Sequence, residues 1–139
     1  MKIYRIAKLS IEQIARNERI KAEIMFKGSL KNNCHKISKT LKDTLMKYDY
    51  PSAIVCWGTF NVDKPVKKED MGELNPLLYD NEEQLQDVLY RLEHYWVKVE
   101  NLIVDITADQ FNDLLSSSMP PVFIGNQNNS RYKEIQEMD

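Results

Sequence analysis

The stretch 94–106, HYWVKVENLIVDI, is the segment that leaves this chain the fewest choices. Two strand-like runs, rich in β-branched and aromatic residues, are separated only by Glu100-Asn101, and so short a spacer predicts a tight antiparallel hairpin. With two residues in the turn, Val99 pairs with Leu102, Val97 with Val104 and Trp96 with Asp105. His94 then shares a face with both Trp96 and Asp105. Diagonal neighbours across such a ladder lie about 7–8 Å apart at the backbone, within reach of an imidazole and a carboxylate that point toward one another.

The rest of the chain supplies elements to flank that hairpin. Ser10 and Gln13 have the S-x-x-Q form of a capping box, and Ile11, Ile14, Ala15, Ile20, Ile24 and Met25 recur near helical spacing, which predicts a helix over 11–26. Gly28-Ser29 stops it. Asn32-Asn33 can cap a second helix with the stripe Ile37, Leu41, Leu45 and Tyr48, ending near Asp49 ahead of Pro51. AIVCWGTF, 53–60, reads as a buried strand, and 61–80 as a long loop. Asp80 with Glu83, followed by Leu85, Val88, Leu89 and Leu92, predicts a short helix near 82–92. T-A-D-Q from Thr107 predicts another over 108–115, and VFIG a last strand near 121–124. The polar tail, 126–139, is either loosely held or adds a strand or turn through Tyr132 and Ile135.

At 139 residues the chain fits a single domain. We divide it into a helical N-terminal segment, 1–33, a core, 34–125, and the tail, 126–139. No run approaches the roughly 18 apolar residues a membrane span needs, and charges interrupt the first residues where a signal peptide keeps an apolar stretch, so a cytoplasmic protein with no membrane partner is expected. Net charge is −2, yet residues 1–50 carry 12 Lys and Arg against 5 Asp and Glu. These basic residues lie along amphipathic helices without interleaved aromatics, which favours solvated helix faces over a nucleic-acid surface.

Two cysteines invite separate readings. Cys34 stands where Asn32-Asn33 ends and a helix begins, so its sulfur would face the positive end of a helix dipole, an environment that favours thiolate. It also lies on the stripe of Ile37, Leu41 and Leu45, so a core thiol is the competing reading. Cys56, in mid-strand between Val55 and Trp57, reads as core. Asp is depleted in strands, so Asp105 in LIVDI is either an orienter for His94 or a cap for the helix at Thr107. Thiol, imidazole and carboxylate together follow the nucleophile, base and orienter logic. His35 points about 100° away from Cys34 on the helix and reads as surface. Two His and two Cys at these spacings match no zinc pattern, and there is no phosphate-cradling glycine loop, so no metal and no cofactor is expected.

Cys at a helix start, H-x-W-V on a strand and Asp on the next strand resemble the papain-like superfamily in its transglutaminase-like branch. HYWVKV followed by VDITADQF is similar to the His and Asp strands of small bacterial and phage members, and the resemblance spans about Cys34 to Gly125. It implies an α+β fold with the Cys helix packed on a small antiparallel sheet. It further implies a cysteine hydrolase or acyltransferase acting on protein or peptide amides through Cys34, His94 and Asp105. The oxyanion would be held by the Cys34 N–H with Asn32 or Asn33, and Trp96 would line the site. The alternative is a module that keeps the fold as a binding or regulatory unit without catalysis.

Overall fold

The computed structural model describes residues 8–27, 30, 33–66 and 89–138. Within them the order is α1 (Ile11–Met25), α2 (Cys34–Lys47), β1 (Ile54–Asn61), β2 (Arg91–Val99), β3 (Leu102–Asp105), a 3-10 helix (Ala108–Leu114), β4 (Phe123–Asn126) and β5 (Tyr132–Met138). The architecture is α+β, with one five-stranded sheet in the order β4-β3-β2-β1-β5, every neighbouring pair antiparallel. No described helix is long and apolar enough to cross a membrane.

Local chemistry sets the helix ends. Ser10 Oγ accepts from the Gln13 N–H at 3.1 Å while Gln13 Oε1 accepts from the Ser10 N–H at 2.9 Å, the reciprocal capping box that starts α1. α2 ends where Asp49 takes a left-handed conformation, φ 73°, which lets the Tyr50 N–H donate to Leu45 O at 2.9 Å and closes the last turn. The β2–β3 turn likewise places Glu100 and Asn101 at φ 50° and 66°, the type I′ geometry whose twist suits a two-residue hairpin. Val97 pairs with Val104 and Val99 with Leu102, the register the turn length predicts.

Strand alternation gives the sheet two different faces. On one, Val97, Val99, Val104 and Ile106 pack with α1 and α2 through Ile14, Ile37, Leu41 and Leu45. On the other, Trp96, Phe60, Phe111 and Tyr132 join Cys56 and Ile103 in a second core beneath the 3-10 helix. Gly58 pairs with His94 on this second face, and a methyl group there would meet the Lys133 carbonyl and stand 2.8 Å from the Trp96 ring, so glycine lets β5 and Trp96 close over the strand.

Three local expectations require correction. In α1 the buried face carries Glu18 and Arg19 with Ile14, Ala15 and Ala22, whereas Ile24 and Met25 are 68% and 73% exposed and Ile20 is exposed too. Partly buried ion pairs outcompeted the apolar stripe, as Arg19 finds Asp109, Glu23 and two backbone carbonyls. The helix expected near 82–92 lies outside the described residues up to 88, and beyond them Leu89 and Tyr90 form a turn and β2 begins at Arg91. There Arg91 and Leu92 pair with Asn61 and Phe60, so sheet pairing decides their conformation. Thr107 precedes the 3-10 helix without a side-chain cap bond, its hydroxyl being turned back to Asp105. Of the two readings of the tail, the strand is the one observed: Tyr132–Met138 is an edge strand on β1.

Candidate active site

His94 and Asp105 meet as the hairpin register requires. His94 Nε2 lies 2.7 Å from Asp105 Oδ2, with the two side chains 0% and 1% exposed. The carboxylate accepts three further hydrogen bonds. Oδ1 takes the Thr107 N–H at 2.9 Å and the Thr107 hydroxyl at 3.3 Å, and Oδ2 also takes the Tyr132 hydroxyl at 2.8 Å. Asp105 therefore both holds the imidazole and caps the turn leading to the 3-10 helix.

A buried charge of this kind persists because its neighbours hold it. Burial alone would raise the Asp105 pKa, but the charge and hydrogen bond of His94, the Thr107 N–H and the Tyr132 hydroxyl outweigh it and keep the carboxyl below its usual range. Burial likewise works against protonation of His94, and the Asp105 charge and hydrogen bond reverse that, raising the imidazole pKa above its ordinary value. The nearby Cys34 pushes in the same direction. Each shift favours the charged form of its group, the protonated imidazole against the ionised carboxylate.

Cys34 reaches this ring from the first turn of α2, half-buried, with Asn33 as the N-cap residue. Nε2 is engaged by Asp105, which leaves Nδ1 for the thiol. Nδ1 is buried and makes no hydrogen bond of ordinary geometry among the described residues, so the sulfur lies within electrostatic reach without being locked in place. Next to it, His35 stacks on Tyr95 with ring centroids 4.2 Å apart.

The remaining predicted site residues are placed unequally. Asn33 makes no side-chain cap bond, its N–H donates to Leu30 O at 3.1 Å, and Asn32 lies outside the described residues. Trp96 stands beside His94, centroids 6.0 Å apart, but is 2% exposed and packs edge-on to Tyr132, so it supports the imidazole from within the core. Phe111 and Phe60 complete the enclosure, edge-on to the ring at 4.9 and 5.8 Å. Phe60 and Phe111 had no local signal as neighbours of His94. Nor did Tyr132, which arrives from the polar tail. Thr107 had one, in its place two residues after Asp105, but its capping-box pattern pointed elsewhere.

Cys56 is a buried thiol in different company. Its Sγ donates to Glu134 Oε1 at 3.3 Å, a partner that β5 brings and that the mid-strand context did not reveal. Burial first, then the Glu134 hydrogen bond and charge, push this thiol up to about 12. It stays protonated and unreactive at neutral pH. Among the described residues no three His, Cys, Asp or Glu side chains are grouped to hold a metal ion. The chain matches no protein-family model, no curated protein and no solved structure.

Proposed function

We propose that this protein is a cysteine-dependent acyl-transfer enzyme with a papain-like arrangement of α2 against the sheet, acting on a protein or peptide amide. The observation that carries the reading is the buried Asp105–His94 pair, with Cys34 half-buried at a helix start and near enough to act electrostatically on the imidazole. In its neutral form His94 accepts the Cys34 thiol proton at Nδ1, and the sulfur attacks the amide carbon. The carbonyl π pair moves to oxygen, where the Cys34 backbone N–H, which as the first helical residue has no intrahelical acceptor, is suited to stabilise it. The C–N bond then breaks as the leaving amine takes the proton from His94, giving a thioester. Water or an amine attacks that thioester, His94 removes the attacking group's proton, and the thiol is restored. Asp105 acts through His94 by fixing its tautomer and orientation.

A second reading is a non-catalytic binding module. The complete burial of the His94 ring favours it, because a base that never meets solvent is also what a purely structural ion pair looks like. Mass-spectrometric labelling with an electrophilic acyl probe separates the two. Cys34 is expected to label much faster than Cys56, Cys56→Ala to leave that labelling in place, and His94→Ala to slow it by about 10²–10⁴-fold. Equal labelling of the two thiols in the native protein would retire the enzyme reading in favour of the binding module.

A further inference from the structure

We propose that Tyr132 is a positioning residue that sets how tightly the His94–Asp105 couple holds its proton, by sharing with His94 the same carboxylate oxygen. This rests on the reading of His94 as the general base. The geometry is specific: Asp105 Oδ2 accepts His94 Nε2 at 2.7 Å and the Tyr132 hydroxyl at 2.8 Å. Tyr132 has no other way to satisfy its hydroxyl among the described hydrogen bonds, and its ring is buried against Trp96, Phe60 and Phe123, with centroids 5.1, 5.2 and 5.9 Å away. Burial and the neighbouring carboxylate push the phenol far above its usual pKa, so it remains a donor at working pH.

The chemistry follows from competition for one oxygen. A buried carboxylate with only an imidazolium beside it would hold that proton hard, because in a dry site little else stabilises its charge. A base held that way is readily protonated by a thiol but slow to give the proton to a leaving amine. The Tyr132 hydrogen bond spreads part of the negative charge and so weakens the hold on His94. Among the described residues, the titratable groups facing the couple are Cys34 from α2 and Tyr132 from β5, with Arg131 acting on Tyr132 from the adjoining position. β1 and the 3-10 helix present Phe60 and Phe111, which carry no charge. Tyr132 is therefore the described neutral donor able to make this adjustment from outside the hairpin.

Nitrogen NMR of His94 in the full chain, followed through a pH titration, reads the effect directly. Tyr132→Phe keeps the ring and removes the donor, and the His94 midpoint should rise by about half a pH unit or more. Site-specific 3-fluorotyrosine at the same position keeps the hydroxyl and makes it a stronger donor, so the midpoint should fall. Opposite shifts are the outcome that a packing role alone would not produce. Unchanged midpoints in both proteins, or shifts of the same sign, overturn the proposal. Should Tyr132→Phe fail to fold, the fluorinated protein decides alone: a lowered midpoint supports the proposal and an unmoved one ends it. Because the imidazole is observed whether or not amides are cleaved, this result is independent of Cys34 labelling, on which the enzyme reading stands or falls.

Discussion

The two faces of the sheet solve different problems with the same strand periodicity. Toward the helices, β2 and β3 present Val97, Val99 and Val104 to Ile37, Leu41 and Leu45, and every contact adds apolar burial. Away from the helices, the same strands present His94 and Asp105, whose burial costs solvation that their mutual hydrogen bond, Thr107 and Tyr132 offset. One face holds the fold together at low risk. The other spends stability on a charged pair that packing alone does not require, and such a pair invites a chemical explanation. Around it the residues are aromatic, excluding water from the ion pair without competing for its hydrogen bonds.

The sharpest break of that contrast is Asp105→Ala. It strands His94 and the Tyr132 hydroxyl in a dry core, and urea unfolding at pH 7 should register a loss of about 3–5 kcal/mol. Asp105→Asn retains the shape and should damage Cys34 capture by an acyl probe more than folding. On the helix-covered face Leu45→Ala should cost about 2–5 kcal/mol, yet leave the pH at which His94 titrates unchanged. A shifted titration in that variant would mean that the faces are not separable.

Acidity distinguishes the faces further. His94 has a folded pKa raised above its ordinary 6.5, so its share of stability is complete below that value and is lost as pH rises through the folded pKa. The slope should reach about 1.4 kcal/mol per pH unit, since the native state holds one proton that the unfolded state has released. Asp105, lowered from 3.8, contributes fully above that value, and its share is lost as pH falls through the folded pKa. Stability from the pair is therefore greatest between those two ordinary values. Denaturant titrations of His94→Gln should lack the alkaline decline, and its survival there would assign the effect to another group. The smallest effect is expected of Thr107→Val, which removes a 3.3 Å bond but keeps the backbone donor on the same oxygen. About 1 kcal/mol is expected by urea unfolding.

The hairpin, its register and the meeting of His94 with Asp105 were legible in thirteen consecutive letters, because a two-residue turn fixes pairing locally and period-two alternation then fixes the faces. Capping at Ser10 was equally local, since both partners lie within one turn. Tertiary structure decided what had to come from far along the chain. Tyr132 reaches Asp105 across 27 residues because β5 pairs with the outer edge of β1, and nothing in a polar tail announces that partner. Arg19 lies buried in place of Ile20 and Ile24 because Asp109, 90 residues on, and the carbonyls of Ile106 and Pro121 satisfy its guanidinium. Sequence period records which residues prefer to avoid water. Whether a charged residue displaces them from the interior depends on partners that only the folded chain brings together.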